Sequence, residues 1–179
     1  MTRISIVRAA RLALGVATLA AAVPAAAEKL VFDHRLSPAL EAAFAGDEAT
    51  HVAYDARNPA YVTDLIAVRG TTKDWTEALV IIARKPAAPV SSADAWVDEL
   101  KAEALRKCSA TFTEIARDAG SVTFERRSTG CAAGYPPVAI YRAIGSGKSL
   151  FLLAAMARDG LSEESLRQWR AVLASARIE

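Results

Sequence analysis

Two cysteines, Cys108 and Cys131, are the only thiols of the chain and the first candidates for chemistry. Their spacing fits neither a zinc cluster nor a Cys-x-x-Cys redox pair, so in an oxidising compartment a disulfide is expected. The alternative is a reactive thiol, which needs an activating base. His34 and His51 are distant in sequence and stand alone. Neither is expected to activate a thiol, hold a metal or act as a general base.

Two carboxylates flank an aromatic ring in the segment that contains Asp74, Trp75 and Glu77. Carboxylates beside an aromatic ring can bind or cleave sugars, but glycoside hydrolysis needs them to face each other across the bond. The alternative is that Trp75 enters the core while Asp74 bonds within its own turn. These three residues are therefore candidates for ligand binding, and none is assigned a catalytic role.

Arg126, Arg127 and Arg142 are candidates for contact with an anion or with a partner protein. If residues 121–127 and 138–144 are paired strands, some of these guanidinium groups would lie on one face of the sheet. The alternative is that the arginines are scattered and solvated. We take Arg126 and Arg142 as the candidate binding residues of this group.

A glycine-rich segment, Gly145-Ser146-Gly147-Lys148-Ser149, resembles the end of a phosphate-binding P-loop. The motif needs a glycine at position 142, which is an arginine here. A P-loop also leads into a helix, whereas the apolar residues that follow Ser149 predict a strand. The sequence contains no Gly-x-Ser-x-Gly nucleophile motif. We therefore predict a hairpin here, and no catalytic residue, metal site or cofactor in the chain.

The N-terminus has the features of a cleaved secretory signal. Three arginines precede an uncharged apolar run of twelve residues, Leu12 to Val23. A membrane-spanning helix would need about 20 apolar residues. Small residues after Pro24 predict cleavage between Ala27 and Glu28. No cysteine follows that site, so a lipoprotein is not expected, and the mature protein is predicted to be periplasmic or secreted, without a membrane span.

The composition excludes several classes of protein. The chain has 179 residues, of which 53% are hydrophobic, so it is expected to fold rather than to be disordered. Removal of residues 1–27 takes away three arginines and no acid, which leaves 19 basic and 20 acidic side chains. A nearly neutral chain without a basic cluster gives no electrostatic reason to expect nucleic acid or an anionic membrane as a partner.

The hydrophobic pattern predicts one α+β domain over residues 48–179, after a polar, alanine-rich segment (28–47) whose order the composition leaves open. Helical spacing predicts two main helices, one that ends at Cys108 after starting at Ser91 or Ser92, and one that starts at Ser162. Period-two alternation and apolar runs predict strands at 50–54, 61–68, 75–84, 110–116, 121–127, 138–144 and 148–156. With one long crossover, a mainly antiparallel sheet of six to seven strands packed by the two helices is expected.

Three local patterns in this order resemble a group of small exported proteobacterial proteins of unknown function. They are Gly70 to Glu77, the helix that carries Trp96 and ends at Cys108, and Tyr141 to Gly145 followed by an apolar strand. The layout is also similar to the Mog1/PsbP-like α/β sandwich, over Tyr61 to Ile178. The resemblance implies association with other proteins as the commonest use. Many members carry a further cysteine near the C-terminus, where this chain has Ala176 and Arg177.

The sequence favours a non-catalytic protein that binds another envelope protein or helps to assemble one. The alternative is a carrier of a small molecule or lipid, with an apolar pocket between the sheet and its helices near Trp75, Trp96 and Trp169. Aromatic side chains are equally common in an ordinary core. A small hydrolase is the third hypothesis.

Overall fold

A computed structural model describes residues 28–84 and 92–179 of the chain. The predicted signal peptide and its cleavage site lie outside the described residues, apart from Glu28. Ser91, the earlier of the two candidate starts of the first long helix, also lies outside them.

Nine strands are present in the described part of the chain. They are β1 (Leu30–Val31), β2 (Val52–Asp55), β3 (Tyr61–Gly70), β4 (Trp75–Arg84), β5 (Ser109–Asp118), β6 (Ser121–Thr129), β7 (Val138–Gly145), β8 (Leu150–Ala157) and β9 (Arg177–Ile178). Strands β2 to β8 form one antiparallel sheet of seven strands in the order β2-β3-β4-β8-β7-β6-β5. The short strands β1 and β9 pair with each other and join the two ends of the domain.

Four helices accompany the sheet: α1 (Pro38–Ala45), α2 (Glu48–His51), α3 (Ala93–Lys107) and α4 (Glu163–Ala174). The side chain of Ser92 caps α3 and that of Ser162 caps α4, as helix-capping chemistry predicts. The sequence predicted only α3 and α4. Helix α1 was not predicted, because it is short and rich in alanine and its polar and apolar faces therefore differ little. Its Leu40 is nevertheless fully buried.

The chain path explains why the sheet is antiparallel. Strands β2, β3 and β4 form one meander, α3 then crosses the sheet to the far edge, and β5 to β8 form a second meander that returns. The last of these strands, β8, pairs with β4 on one side and with β7 on the other. The prediction of an α+β fold with one long crossover and a six- to seven-stranded antiparallel sheet is confirmed at this level.

Helices cover both faces of the sheet. Along β8, Leu152 packs in the cluster that contains residues of α3, and its neighbour Leu153 packs in the cluster that contains residues of α1 and α4. Successive side chains of a strand point to opposite faces. The sheet therefore has two apolar cores, one under α3 and one under α1 and α4.

The glycine-rich segment that resembles a P-loop is the hairpin between β7 and β8. The Ser146 hydroxyl accepts hydrogen bonds from the backbone amides of Lys148 and Ser149, both at 3.0 Å. The Glu28 carboxylate accepts a hydrogen bond from the same hydroxyl, and this bond lowers the pKa of Glu28. The predicted hairpin is confirmed, and β8 follows it where a P-loop would need a helix.

Cys108 and Cys131 form a disulfide. Cys108 is the residue that ends α3, and Cys131 lies in the loop between β6 and β7. The bond therefore ties the end of α3 to this loop, residues 130–137, which is otherwise irregular.

Reduction of this disulfide is expected to destabilise the protein without changing its fold. A cross-link across 23 residues of chain removes entropy from the unfolded state, worth about 3 kcal/mol on the chain-entropy model. Urea unfolding of Cys108→Ser should show a loss of this size with an unchanged far-ultraviolet circular dichroism spectrum. The double variant Cys108→Ser/Cys131→Ser is the control, since reductant should no longer affect it. If the urea midpoint of the native protein is the same with and without reductant, the prediction is contradicted.

Candidate functional site

The two candidate arginines lie on opposite faces of the sheet. Strands β6 and β7 pair as predicted, with Arg126 opposite Ala139 and Arg142 opposite Thr123. Alternation along β6 places Arg126 on the α3 face and Thr123 on the α4 face, so Arg142 shares a face with Arg127 and not with Arg126. The two candidates do not form one site.

Arg142 is held by local contacts on the α4 side of the sheet. Its side chain donates a hydrogen bond to the Thr123 hydroxyl at 3.1 Å and lies 3.9 Å from the Asp118 carboxylate. Burial lowers the pKa of Arg142, although the guanidinium stays charged. Arg142 therefore has both a hydrogen-bond acceptor and a carboxylate near it.

Asp74 and Glu77 do not face each other. Glu77 is 6% exposed, and its carboxylate accepts hydrogen bonds from Trp169 Nε1 at 2.6 Å and from Arg69 Nε at 2.8 Å. The Asp74 side chain is 92% exposed and lies 3.4 Å from Arg158. The Arg158 guanidinium lies 4.4 Å from the centre of the Trp75 ring, which is half-buried. Glu77 thus joins α4 to β4, and the three residues do not form a carboxylate pair suited to hydrolysis.

A cavity of about 210 Å³ lies between the C-terminal half of α3 and the sheet. Its lining is mainly apolar and comes from α3, from five strands and from the disulfide-linked loop. The lining residues are Val80, Ile82, Leu100, Glu103, Ala104, Lys107, Phe112, Phe124, Arg126, Tyr135, Tyr141, Leu152, Ala154 and Met156. None of the three tryptophans lines this cavity.

Small side chains on facing elements leave this space open. Ala104 lies on the face of α3 that also carries Leu100 and Lys107, and Ala154 lies on β8 in the sheet below. Both alanines are buried. Larger side chains pack this layer nearer the start of α3, where Trp96 and Val97 are buried. The cavity therefore begins where the helix and the sheet both present alanine.

Strand register makes one end of the cavity polar and the other apolar. Arg126 lies in one cross-strand row with Ala139 and Met156. The next row that faces α3 contains Phe124, Tyr141, Ala154 and Val80, and the row beyond contains Leu152 and Ile82. These rows span four residues of each strand, about 13 Å. The cavity thus has a cation at one end and aliphatic side chains at the other.

Arg126 is 2% exposed and lines this cavity. Its terminal nitrogens donate hydrogen bonds to the Ser128 hydroxyl and to the Pro136 carbonyl, both at 2.8 Å. Its Nε atom is buried and has no hydrogen-bond acceptor. The guanidinium lies 4.4 Å from the centre of the Tyr135 ring and 5.9 Å from that of Tyr141. Every neighbour in this set is neutral.

No carboxylate forms an ion pair with Arg126 among the described residues. The residues outside the description, 1–27 and 85–91, contain no Asp or Glu. The other two charged side chains of the lining, Glu103 and Lys107, pair with each other at 2.6 Å. The cavity therefore holds one uncompensated positive charge.

The disulfide-linked loop completes the polar end. It supplies the Tyr135 ring and the Pro136 carbonyl to Arg126, and its Cys131 is bonded to the residue that ends α3. Burial raises the pKa of the Tyr141 hydroxyl, which therefore stays protonated at neutral pH. The loop and the ring of Tyr141 hold the Arg126 guanidinium in one position.

Sequence reasoning found Arg126 but missed the residues that surround it. Tyr135 lies in an irregular loop, and Ala104 and Ala154 carry no chemistry of their own. The available signal was the alternation in β6, which places Arg126 on the same face as the buried Phe124. A charged residue on an apolar strand face is expected to have a specific partner or a function.

Two other classes of site depend on grouped metal ligands and on long apolar helices. Over residues 28–84 and 92–179, no three His, Cys, Asp or Glu side chains are grouped so that they could hold a metal ion. Within the same ranges, every helix is too short or too polar to cross a membrane.

Comparison with known proteins gives no relative from which a function could be transferred. No protein-family model matches the chain, and a search of curated proteins finds no match either. Membership of the exported proteobacterial group and the Mog1/PsbP-like identity therefore stay predictions.

Trp169→Phe is expected to lower the free energy of unfolding by about 1–3 kcal/mol, because the buried Glu77 carboxylate loses its indole donor. Urea unfolding measures this loss. The control is Trp75→Phe, which removes an indole from a half-buried position and should cost less. In a double-mutant cycle, Trp169→Phe, which removes the donor, and Glu77→Met, which removes the acceptor, should show a coupling energy clearly different from zero. Additive effects would mean that the hydrogen bond contributes nothing.

Proposed function

We propose that this protein binds a small, largely apolar molecule in the cavity between α3 and the sheet, and that it acts as a carrier or sensor of that molecule outside the cytoplasm. The observation that carries the proposal is the cavity itself, with an apolar lining and a few polar groups gathered at one end. Ligand sites in proteins commonly have this combination.

The volume of the cavity limits the size of the ligand. A cavity of about 150 Å³ accepts benzene, which has six non-hydrogen atoms. In proportion, the cavity of about 210 Å³ accepts a molecule of about eight non-hydrogen atoms. The cavity is partly open to solvent, so the proposal is a small molecule or the end of an apolar chain that this volume encloses.

The alanines that border the cavity support a binding role over an ordinary core. Protein interiors are packed at a density close to that of organic crystals. A leucine at position 104 or 154 would reach into the space and bury more apolar surface. An unfilled cavity at two buried alanine positions is the arrangement expected where a ligand supplies the missing apolar contacts.

Export of the protein is part of the proposal. The features that support it are the twelve-residue apolar run behind three arginines and the Cys108–Cys131 disulfide. Disulfides persist in oxidising compartments such as the periplasm.

A protein partner, the function that the sequence favoured, stays a prediction. The exposed large apolar side chains of the described residues come from different elements of the chain: Leu36, Phe44, Tyr54, Leu105 and Ile115. An interface usually presents a contiguous apolar patch. The hydrolase hypothesis has no facing carboxylate pair to support it at Asp74 and Glu77.

Ala104→Leu is expected to abolish ligand binding while leaving the protein as stable as before or more stable, because the new side chain fills the cavity. Binding is measured by nuclear magnetic resonance titration of the purified protein with hexanoate and with 1-hexanol. The native protein should bind at least one of them, and the variant should bind neither at the same concentration.

Ala102→Leu is the matched control. Ala102 is exposed on the same helix, so this variant carries the same substitution outside the cavity. Its binding should equal that of the native protein. Failure of both probes to bind the native protein, or unchanged binding by Ala104→Leu, would overturn the proposed site.

A further inference from the structure

Resting on the proposed ligand cavity, we propose that its ligand is a monocarboxylate with a short apolar chain, and that Arg126 binds the carboxylate. Three observations carry the inference: a buried cation without a counter-ion, a lining whose other charges cancel, and a register that places apolar side chains beyond the cation.

The absence of a counter-ion at Arg126 is costly for the empty protein. Moving a charged group out of water costs several kcal/mol unless a charge of opposite sign or a set of hydrogen bonds compensates it. The Ser128 hydroxyl, the Pro136 carbonyl and two tyrosine rings compensate part of this cost. These groups are neutral, so an anion that enters the cavity can form the ion pair with Arg126 that no protein group forms.

The other charged residues that are buried in the described chain each have a side chain of opposite charge nearby. Glu77 has Arg69 at 2.8 Å, and Glu125 has Arg127 at 2.6 Å and Arg170 at 2.8 Å. Arg142 has Asp118 at 3.9 Å. Arg126 alone among these four has no opposite charge within 4 Å, which sets it apart as a binding group rather than a structural one.

The amount of charge in the lining favours a monoanion. Glu103 and Lys107 neutralise each other at the rim, so the net charge is that of Arg126 alone. A carboxylate matches this single charge and accepts hydrogen bonds from a guanidinium. A phosphate monoester would bring a second negative charge into an apolar cavity whose lining contains no second unpaired cation.

The geometry also sets the orientation of the ligand. A carboxylate at Arg126 places the attached chain over Tyr141 and Ala154, with its end towards Ile82 and Leu152. The buried Nε of Arg126 has no hydrogen-bond acceptor, a feature that it shares with the Nε atoms of Arg84, Arg142 and Arg158. Given the volume, a carboxylate of about eight non-hydrogen atoms, such as hexanoate, fits this space.

The test is isothermal titration of the native protein with three probes of the same chain length: hexanoate, 1-hexanol and hexylamine. Hexanoate should bind at least about tenfold more tightly than 1-hexanol, because a hydrogen bond to a charged group contributes about 1.5–3 kcal/mol. Hexylamine should not bind measurably. Inorganic phosphate should not compete with hexanoate.

The variant that tests the residue is Arg126→Met, which keeps the unbranched stem of the side chain and removes the guanidinium with its charge. It should lose at least tenfold in affinity for hexanoate while its affinity for 1-hexanol stays the same or rises. Arg126→Lys should recover part of the hexanoate preference. Arg142→Met is the matched control, since it removes the same charge from a buried position on the other face, and its hexanoate affinity should equal that of the native protein.

A second measurement separates binding from folding. The melting temperature of the ligand-free Arg126→Met protein shows whether this variant folds, and hexanoate should raise the melting temperature of the native protein but not of this variant. Equal binding of hexanoate and 1-hexanol by the native protein would refute the role of Arg126 and leave the carrier proposal in place. Failure of all probes to bind would refute the carrier proposal itself.

Discussion

Strand β8 lies between β4 and β7, and its pairing with both strands fixes the arrangement of the whole sheet. It joins the two meanders of the sheet, and its residues pair in unbroken register with β4 over Phe151 to Ala157 and with β7 over its whole length. A shift of one residue would exchange the side chains that face α3 with those that face α4. The register therefore fixes the composition of both cores at once.

The cavity is a consequence of this register together with the spacing of α3. With Ala154 held on the α3 face, the sheet presents a small side chain at the level where the helix presents Ala104. The same rows place Arg126 at one end and Leu152 at the other. A single pairing pattern thus determines the size of the space, its polarity and the direction in which a ligand can lie.

Local signals in the sequence predicted most elements but not the site. Strand β4 was predicted with the bounds that it has, Ser162 was predicted as a cap, and Ser92 was one of two candidates for the start of α3, because alternation and capping depend on neighbouring residues. Whether Arg126 has a counter-ion depends on α3 and on residues 130–137, which reach it only through the fold. The cavity could not be predicted either, since the sequence around an alanine does not show which residues face it in the fold.

The disulfide and the buried cation are connected through the loop of residues 130–137. Tyr135 and the Pro136 carbonyl hold Arg126 in place, and they lie in the loop that the Cys131–Cys108 bond ties to the end of α3. A cation that is already desolvated and oriented loses less freedom when an anion binds. The hydrogen bonds to Ser128 and Pro136 compensate only part of the cost of burying this charge. A ligand carboxylate at Arg126 would compensate the rest.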